Sequence, residues 1–168
     1  MRCLLVIVAL ALGGVPAYAE DVTAAPLAPP QPVAPAAAIT PACKDFRRRP
    51  VRTVEVADLE DVGRAQFVGG APVIMVNPQL MATLPPDLQT FFKLHECGHH
   101  VLGHIIAPTD KSEQEADCWA VQEGRKLGTF TKDDIIAWKP YFAASRGSKV
   151  GHLPGPQRVE FLLACFNE

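Results

Sequence analysis

Strong net charge, long apolar runs and internal repeats are all missing from most of this chain. The 16 Lys and Arg residues nearly balance the 18 Asp and Glu residues, and the net charge of −2 is too small to recruit nucleic acid. Beyond the N-terminal segment, no stretch approaches the roughly 20 apolar residues that a membrane helix needs. No Cys-x-x-Cys pair, the spacing that thiolate zinc sites favour, is present. These absences predict a soluble mature protein whose chemistry comes from other motifs.

The first residues have the pattern of a secretory signal peptide. A positive end, Met1-Arg2, is followed by the apolar run Cys3–Leu12 and by Ala17-Tyr18-Ala19, a small-residue cleavage site. We therefore expect residues 1–19 to be removed and the mature protein to be exported, either to a periplasm or out of the cell. An uncleaved membrane anchor is the alternative.

Composition divides the remainder of the chain in two. Residues 20–42 are rich in Pro and Ala, which cannot form a packed core and favour an extended or disordered linker. The predicted globular region is 43–168, enough for one small domain with a single hydrophobic core. We expect all of the chemistry to lie in this domain.

Four cysteines lie beyond the predicted signal peptide. An even number in an oxidising compartment predicts two disulfides. Four cysteines allow three pairings, and we expect Cys43 with Cys165 and Cys97 with Cys118. The first pair would close the ends of the folded region, and the second would join the two segments that carry the chemistry.

The patterning predicts an α+β fold, with a small antiparallel sheet packed against a helical core. Alternating and β-branched residues predict strands at 51–56, 65–68 and 72–76, and Gly69-Gly70 joins the last two in a hairpin. Apolar residues spaced by three and four predict four helices. These begin near Pro85-Pro86-Asp87 and end at Gly103, run from a capping Ser112 to about Leu127, run from Thr131 until Pro140, and follow Pro156.

Residues 95–99 read His-Glu-Cys-Gly-His, which is the His-Glu-x-x-His pattern of zinc hydrolases. On a helix, His95 and His99 are one turn apart, so both can reach one ion at about 2.0–2.1 Å. Glu96 lies one step around the helix and can hold a proton. A catalytic zinc usually has three protein ligands and one open position, so a third ligand is expected elsewhere.

Glu113 is the predicted third ligand. It opens the segment Glu113-Gln114-Glu115-Ala116-Asp117, on a helix close enough to the first for the two to pack as an antiparallel pair. Asp117 lies one turn further on, where it can accept a hydrogen bond from the outer N–H of a ligating imidazole. The alternative, that these acids are ordinary solvated helix residues, is weakened by the neighbouring histidine pair.

These motifs resemble those of a known family. The order of residues 95–99, Gly103-His104, 113–117 and His152 with Arg158 six positions later is similar to that of the Ste24/HtpX/Oma1-type gluzincin zinc metallopeptidases. The resemblance covers about residues 73–159. The chain departs from it in having no internal membrane helices and in having Leu153 where a Pro is expected.

The resemblance implies a small exported zinc peptidase in which His95, His99 and Glu113 hold one Zn²⁺. Glu96 would act as general base, taking a proton from a metal-activated water and passing it to the leaving amine.

The resemblance also implies roles around this centre. His152 would donate a hydrogen bond to the oxyanion, and Arg158 would pair with a carboxylate such as Asp117. The strand at 73–76 would be the sheet edge against which an extended peptide lies.

The other histidines and the basic cluster have less specific patterns. His100 projects about 100° around the helix from His99, so we expect a surface or packing residue. His104 falls one position short of the third-ligand place in the metzincin pattern, and we do not expect it to bind zinc. Arg47-Arg48-Arg49 with Arg52 is expected to be solvated surface, with an anion or peptidoglycan contact as the functional alternative.

Three functions compete at this stage. The first is a zinc-dependent endopeptidase of the cell envelope or exterior, whose partner is a protein or peptide substrate. The second is a non-catalytic, zinc-stabilised and disulfide-bonded module that the Pro/Ala linker presents to an envelope partner. The third, amide hydrolysis of cell-wall peptides, uses the same site and differs only in substrate.

Overall fold

The computed structural model describes residues 42–148 and 151–168, so the predicted signal peptide and nearly all of the predicted linker lie outside the described residues. Within them, no helix is long and apolar enough to cross a membrane. The strands and helices are, in chain order, β1 (Arg52–Glu55), β2 (Gly63–Val68), β3 (Ala71–Val76), α1 (Pro78–Met81), α2 (Pro86–Leu102), α3 (Ser112–Leu127), α4 (Lys132–Ala137), α5 (Lys139–Phe142) and α6 (Gly155–Asn167).

The predicted α+β class is confirmed, but the sheet is mixed rather than antiparallel. Strands β2 and β3 form the expected hairpin, and Gly69 and Gly70 both have positive φ angles, 57° and 81°, as a two-residue hairpin turn requires. Strand β1 pairs with the other side of β3 and runs parallel to it. Residue patterns mark where strands lie but not their direction, which is why this error arose.

The sheet order is β1-β3-β2, so β3 is the central strand. The prediction that residues 73–76 form an open edge is therefore wrong. The central position of β3 agrees with the burial of its side chains, because Val73, Ile74 and Val76 are each at most 5% exposed. Strands β1 and β2 each pair with β3 alone among the described strands, so the other side of β2 is one of two edges of the sheet.

Several helix ends differ from the prediction. Helix α1 was not predicted; the Asn77 side chain caps it by accepting hydrogen bonds from the backbone N–H groups of Gln79 and Leu80. Ser112 does not cap α3, since Lys111 holds the cap position and the Ser112 hydroxyl accepts a hydrogen bond from the Thr109 N–H.

The predicted third helix is two short helices, and its expected end at Pro140 is wrong, because α5 continues through Pro140 to Phe142. Trp138 ends α4 and precedes α5, and Pro140 lies in the first turn of α5, where its missing N–H costs nothing. The Trp138 side chain is completely buried, and its indole N–H donates to the Asp87 carboxylate at 2.6 Å.

A helical core holds α2 in position. It is formed by buried apolar residues of α2, α3, α4, α5 and α6 that contact one another, including Leu88, Phe91, Leu94, Val121, Ile135, Trp138, Phe142, Val159 and Leu162. A second, smaller core lies between α2 and the sheet, around Ile74, Val76, Met81 and Cys97. Helix α2 therefore packs on both sides, which makes it a rigid support for side chains.

Two disulfides are present, but the predicted pairing is wrong. Cys43 is bonded to Cys97 and Cys118 to Cys165, with Cα–Cα distances of 5.8 and 5.2 Å. Cys97 faces the sheet-side core, whereas Cys118 and Cys165 pack in or against the helical core. The two cysteines of the chemical segments thus point to different cores and cannot meet.

Candidate metal centre

Helix α2 carries three polar residues in its buried middle. His95, Glu96 and His99 are 2%, 8% and 8% exposed, which is low for side chains of this polarity. The helix begins at Pro86, which suits a first turn, and ends before Gly103, which adopts a left-handed conformation with φ of 80°. These local signals place the two histidines one turn apart, as the sequence predicted.

Gly98 lets α3 approach α2 closely. A Cβ atom at Gly98 would lie 3.2 Å from both the Cα and the carbonyl oxygen of Ala116, tighter than ordinary packing allows. The second variable position of the His-Glu-x-x-His motif therefore contributes to the site by being small. The first, Cys97, is tied by its disulfide to Cys43.

This close crossing brings Glu113 to the histidine pair. His95 Nε2 and His99 Nε2 are 3.1 Å apart, and Glu113 Oε2 lies 3.2 Å from the first and 3.5 Å from the second. The three side chains form a group that could hold a metal ion. The predicted ligand set is thus brought together from two helices.

The environment of Glu113 is suited to a cation. Its Oε2 atom is buried without an aligned hydrogen-bond partner, although His152 Nε2 lies 2.6 Å away. Burial favours the neutral acid, but the His152, His95 and His99 imidazoles outweigh it and hold the pKa of Glu113 well below its usual range. The lowered pKa favours the ionised Glu113 carboxylate, whose Oε2 atom faces the three imidazole nitrogens.

Asp117 and Arg158 lie on the side of His95 that carries Nδ1, the nitrogen that does not face Glu113. Asp117 Oδ1 lies 2.8 Å from His95 Nδ1, and the Arg158 guanidinium donates to both Asp117 oxygens at 2.8 and 2.7 Å. Burial would raise the pKa of Asp117, but Arg158 and His95 lower it to about 2. The expected Arg158–Asp117 pair is present, and it holds a charged carboxylate at the outer nitrogen of His95.

Negative charge surrounds His95. Burial would lower its pKa, yet Asp117, Glu113 and Glu96 together raise it to about 9. Three carboxylates around one buried imidazole create a negative electrostatic potential that a bound cation would neutralise.

The Glu96 side chain lies between α2 and the start of β2. Burial raises its pKa, with the Glu113 and Asp61 carboxylates adding to the effect and His95 and His99 opposing it. Gly63 leaves the space that Glu96 occupies, because a Cβ there would lie 3.0 Å from Glu96 Cγ and 3.1 Å from Oε1. The sequence does not predict this role of Gly63, since no motif or spacing near it in the chain points to Glu96.

His152 lies at the same site, as its place in the motif order suggested. Its Nε2 approaches Glu113, its Nδ1 lies 2.8 Å from the Ser148 hydroxyl, and 24% of the side chain is exposed. Ser148, which was not predicted, also accepts the backbone N–H of His152. His152 is thus held by three polar contacts, one to Glu113 and two to Ser148, at the rim of the cleft.

The two remaining histidines of α2 and its C-terminal turn are both buried. His100 is 1% exposed, and its Nε2 contacts the Val73 carbonyl at 3.0 Å, so it is a packing residue rather than a surface one. His104 is absent from the candidate ligand group. Its Nδ1 instead lies 3.2 Å from His99 Nδ1 and its Nε2 3.0 Å from Glu115 Oε2, and burial lowers its pKa.

An open cleft of about 780 Å³ runs over the candidate ligands. Its wall on the sheet side is the beginning of β2 and the residues before it, from Asp61 to Ala65. Tyr141, Phe142 and His152 also line the cleft. The ligand group is therefore reachable from solvent beside the beginning of β2.

The basic cluster is partly paired. Arg49 forms an ion pair with Asp45 at 2.8 Å and donates to the Gly70 carbonyl, and Arg47 lies over the Phe46 ring. None of its four arginines lines the cleft over the candidate ligands. Its predicted anion or peptidoglycan contact stays a prediction.

No protein-family model, curated protein or solved structure matches the chain. The chemistry of the site thus rests on its own residues: a possible metal-binding group, a buried acid beside it and a cleft that reaches both.

Proposed function

We propose that this protein is a zinc-dependent metalloendopeptidase that hydrolyses peptide bonds of proteins or peptides in the cell envelope or outside the cell. The observation that carries the proposal is the grouping of His95 Nε2, His99 Nε2 and Glu113 Oε2 within 3.5 Å of one another, beside the buried carboxyl of Glu96. These side chains would give the ion two histidine ligands and one carboxylate ligand, with Glu96 as the general base beside them.

The spacing of the three ligand atoms is compatible with zinc. A tetrahedral zinc with ligands at about 2.0–2.1 Å has ligand atoms about 3.3 Å apart. The three separations in the structure, 3.1, 3.2 and 3.5 Å, bracket this value. Among the described residues the group has three ligands, the number that catalytic zinc sites take from the protein while they keep one position open. The buried Glu113 Oε2 atom, which faces three imidazole nitrogens without an aligned hydrogen bond, also supports an ion at this point, because buried polar atoms are rarely left unsatisfied.

A bound zinc ion would lower the pKa of water and polarise the substrate carbonyl. The chain's own residues would do the remainder. Glu96, whose pKa is raised by burial, has the proton affinity to accept a proton from the attacking water and return it to the leaving amine. His152 can donate from Nε2 toward the developing oxyanion once a substrate is in the cleft.

The substrate is expected to bind along β2. This strand forms one wall of the cleft, and its unpaired side can take an extended peptide by backbone hydrogen bonds. Recognition by backbone groups fits proteins and peptides as the substrate class. Cell-wall peptides are a subset of such substrates and are distinguished by the choice of assay substrate.

Export supports the envelope or exterior as the place of action. Two disulfides persist in oxidising compartments, and the N-terminal sequence has a signal-peptide pattern. Fractionation of cells producing the full chain would separate the periplasm from the medium. Recovery only in the cytosol would contradict this part of the proposal.

The test pairs metal content with cleavage. We expect one zinc per chain and chelator-sensitive cleavage of casein or a peptide library. Glu96→Gln should keep the zinc and lower the rate by about 10²–10⁴-fold, because the proton acceptor is lost. Glu113→Ala should lose or weaken zinc binding together with cleavage. Glu123→Ala, on the same helix but paired with the exposed Lys126, is the matched control and should do neither.

Two results would overturn the peptidase proposal. Unchanged cleavage by Glu96→Gln would remove the mechanism, and absence of zinc from the wild-type protein would remove the metal site. Zinc without cleavage of any substrate would favour a non-catalytic, zinc-stabilised binding module. One observation favours that alternative: the metal group joins α2 to α3, and each of these helices also carries a disulfide, so metal and disulfides could staple one small domain.

A further inference from the structure

His104 and Glu115 form a series of polar contacts that ends at the outer nitrogen of His99, Nδ1. His104 Nδ1 lies 3.2 Å from His99 Nδ1, and His104 Nε2 lies 3.0 Å from Glu115 Oε2. His104 is 6% exposed, whereas the Glu115 side chain is 51% exposed. These polar contacts thus connect the buried site to the surface of α3.

The end of α2 explains how His104 reaches this position. Gly103 takes a left-handed conformation, and the backbone N–H of His104 then donates to the His99 carbonyl at 3.0 Å. This turn folds the His104 ring back against His99. The five-residue separation of the two histidines therefore reflects a helix-ending turn rather than continued helix.

The hydrogen-bond directions follow from the chemistry of the three groups. An ionised carboxylate only accepts, so His104 Nε2 must donate to Glu115. The other nitrogen of a neutral imidazole carries the lone pair, so His104 Nδ1 accepts. Only His99 Nδ1 can then donate to it. His99 is left with its lone pair on Nε2, the atom that faces His95 and Glu113.

We propose that His104 and Glu115 are positioning residues that select the His99 tautomer able to bind the metal through Nε2. Asp117 with Arg158 supports His95, so each histidine of the pair has its own carboxylate-based support. Outer-shell partners of this kind typically change metal affinity by about 10–100-fold. The inference rests on the metal site of the proposed function but not on peptidase activity.

Three variants test it by zinc affinity. His104→Leu removes both contacts and should weaken zinc binding about 10–100-fold. His104→Gln should recover most of the affinity, because its amide can accept from His99 and donate to Glu115. Glu115→Gln should have an intermediate effect, since an amide oxygen still accepts but without charge. Glu123→Gln on the same helix is the control and should leave affinity unchanged.

A second readout separates positioning from mere stability. ¹⁵N spectra of histidine-labelled, metal-free protein report which ring nitrogen of His99 is protonated. We expect Nδ1 to be protonated in the wild type and in His104→Gln, and a mixture of tautomers in His104→Leu. Melting temperatures of all variants show whether any affinity loss follows from unfolding.

Two outcomes would overturn the inference. One is a His104→Leu protein with wild-type zinc affinity and a wild-type His99 tautomer. The other is a His104→Gln protein that loses as much affinity as His104→Leu. If the wild type bound no zinc, the proposed function would fail, and the tautomer measurement on metal-free protein would still test the positioning role.

Discussion

Arg158 on α6 reaches across 41 residues of sequence to donate two hydrogen bonds to Asp117 on α3. Both side chains are buried, and the guanidinium also lies over the Phe142 ring, 5.3 Å from its centre. Because Asp117 contacts His95 on its other side, this ion pair connects the last helix to the candidate metal centre.

We predict that Arg158→Met lowers the free energy of unfolding by about 3–5 kcal/mol, because it leaves the buried Asp117 charge without its partner. Chemical denaturation measures the change. Lys126→Ala, which breaks an exposed pair with Glu123, is the control and should cost less than about 1 kcal/mol. The double variant Asp117→Asn with Arg158→Met should lose less than the sum of the two single changes. Additive losses would show that the two residues act independently.

A second prediction concerns Gly63. Gly63→Ala would place a Cβ about 3 Å from the Glu96 side chain and force the carboxyl to shift. We expect zinc content to be unchanged and the cleavage rate to fall by about 10–100-fold, since small misplacements of catalytic groups have effects of this size. Ala65→Ser on the same strand is the comparison. Full activity of Gly63→Ala would show that Glu96 tolerates the shift or is not the base.

A third prediction concerns Gly98. Gly98→Ala would normally stabilise a helix by about 0.8–1.0 kcal/mol. Here the new Cβ would meet the backbone of Ala116, which cannot move without separating α2 from α3. We expect a net loss of stability, with overpacking of this kind costing about 1–3 kcal/mol, and a weaker zinc site because Glu113 moves with α3. A more stable variant with unchanged zinc affinity would contradict this account.

The fourth prediction is the disulfide pattern. Peptide mapping without reduction should recover Cys43 linked to Cys97 and Cys118 linked to Cys165. Replacing Cys118 and Cys165 together by serine should lower the free energy of unfolding by about 2–4 kcal/mol, because the open chain gains entropy when unfolded. Peptides linking Cys97 to Cys118, or free thiols in the oxidised protein, would disagree with the structure.

The helices that carry the site were predictable because their signals are local. Gly103 and Gly128 both have left-handed conformations and end α2 and α3 close to where the sequence placed these ends. The Gly69-Gly70 hairpin was predicted for the same reason. The unpredicted α1 and the break at Trp138 were harder, since a short helix has too few residues to show a period.

The errors in the sheet and the disulfides share another cause, which is distance along the chain. The direction of β1, the central place of β3 and both disulfide partners depend on how separate elements pack. The role of His104 was also missed, because Glu115 lies eleven positions away on another helix. No periodicity or spacing within one element carries such information.

The sequence by itself determined the α+β class, the two main helices and the histidine pair, because helix geometry sets the spacing of residues four apart. Only the tertiary structure decided that Glu113 meets that pair, that Arg158 reaches Asp117, and that Gly63 makes room for Glu96. These contacts join different elements, and their distances depend on the packing of α2 against α3, α6 and the sheet.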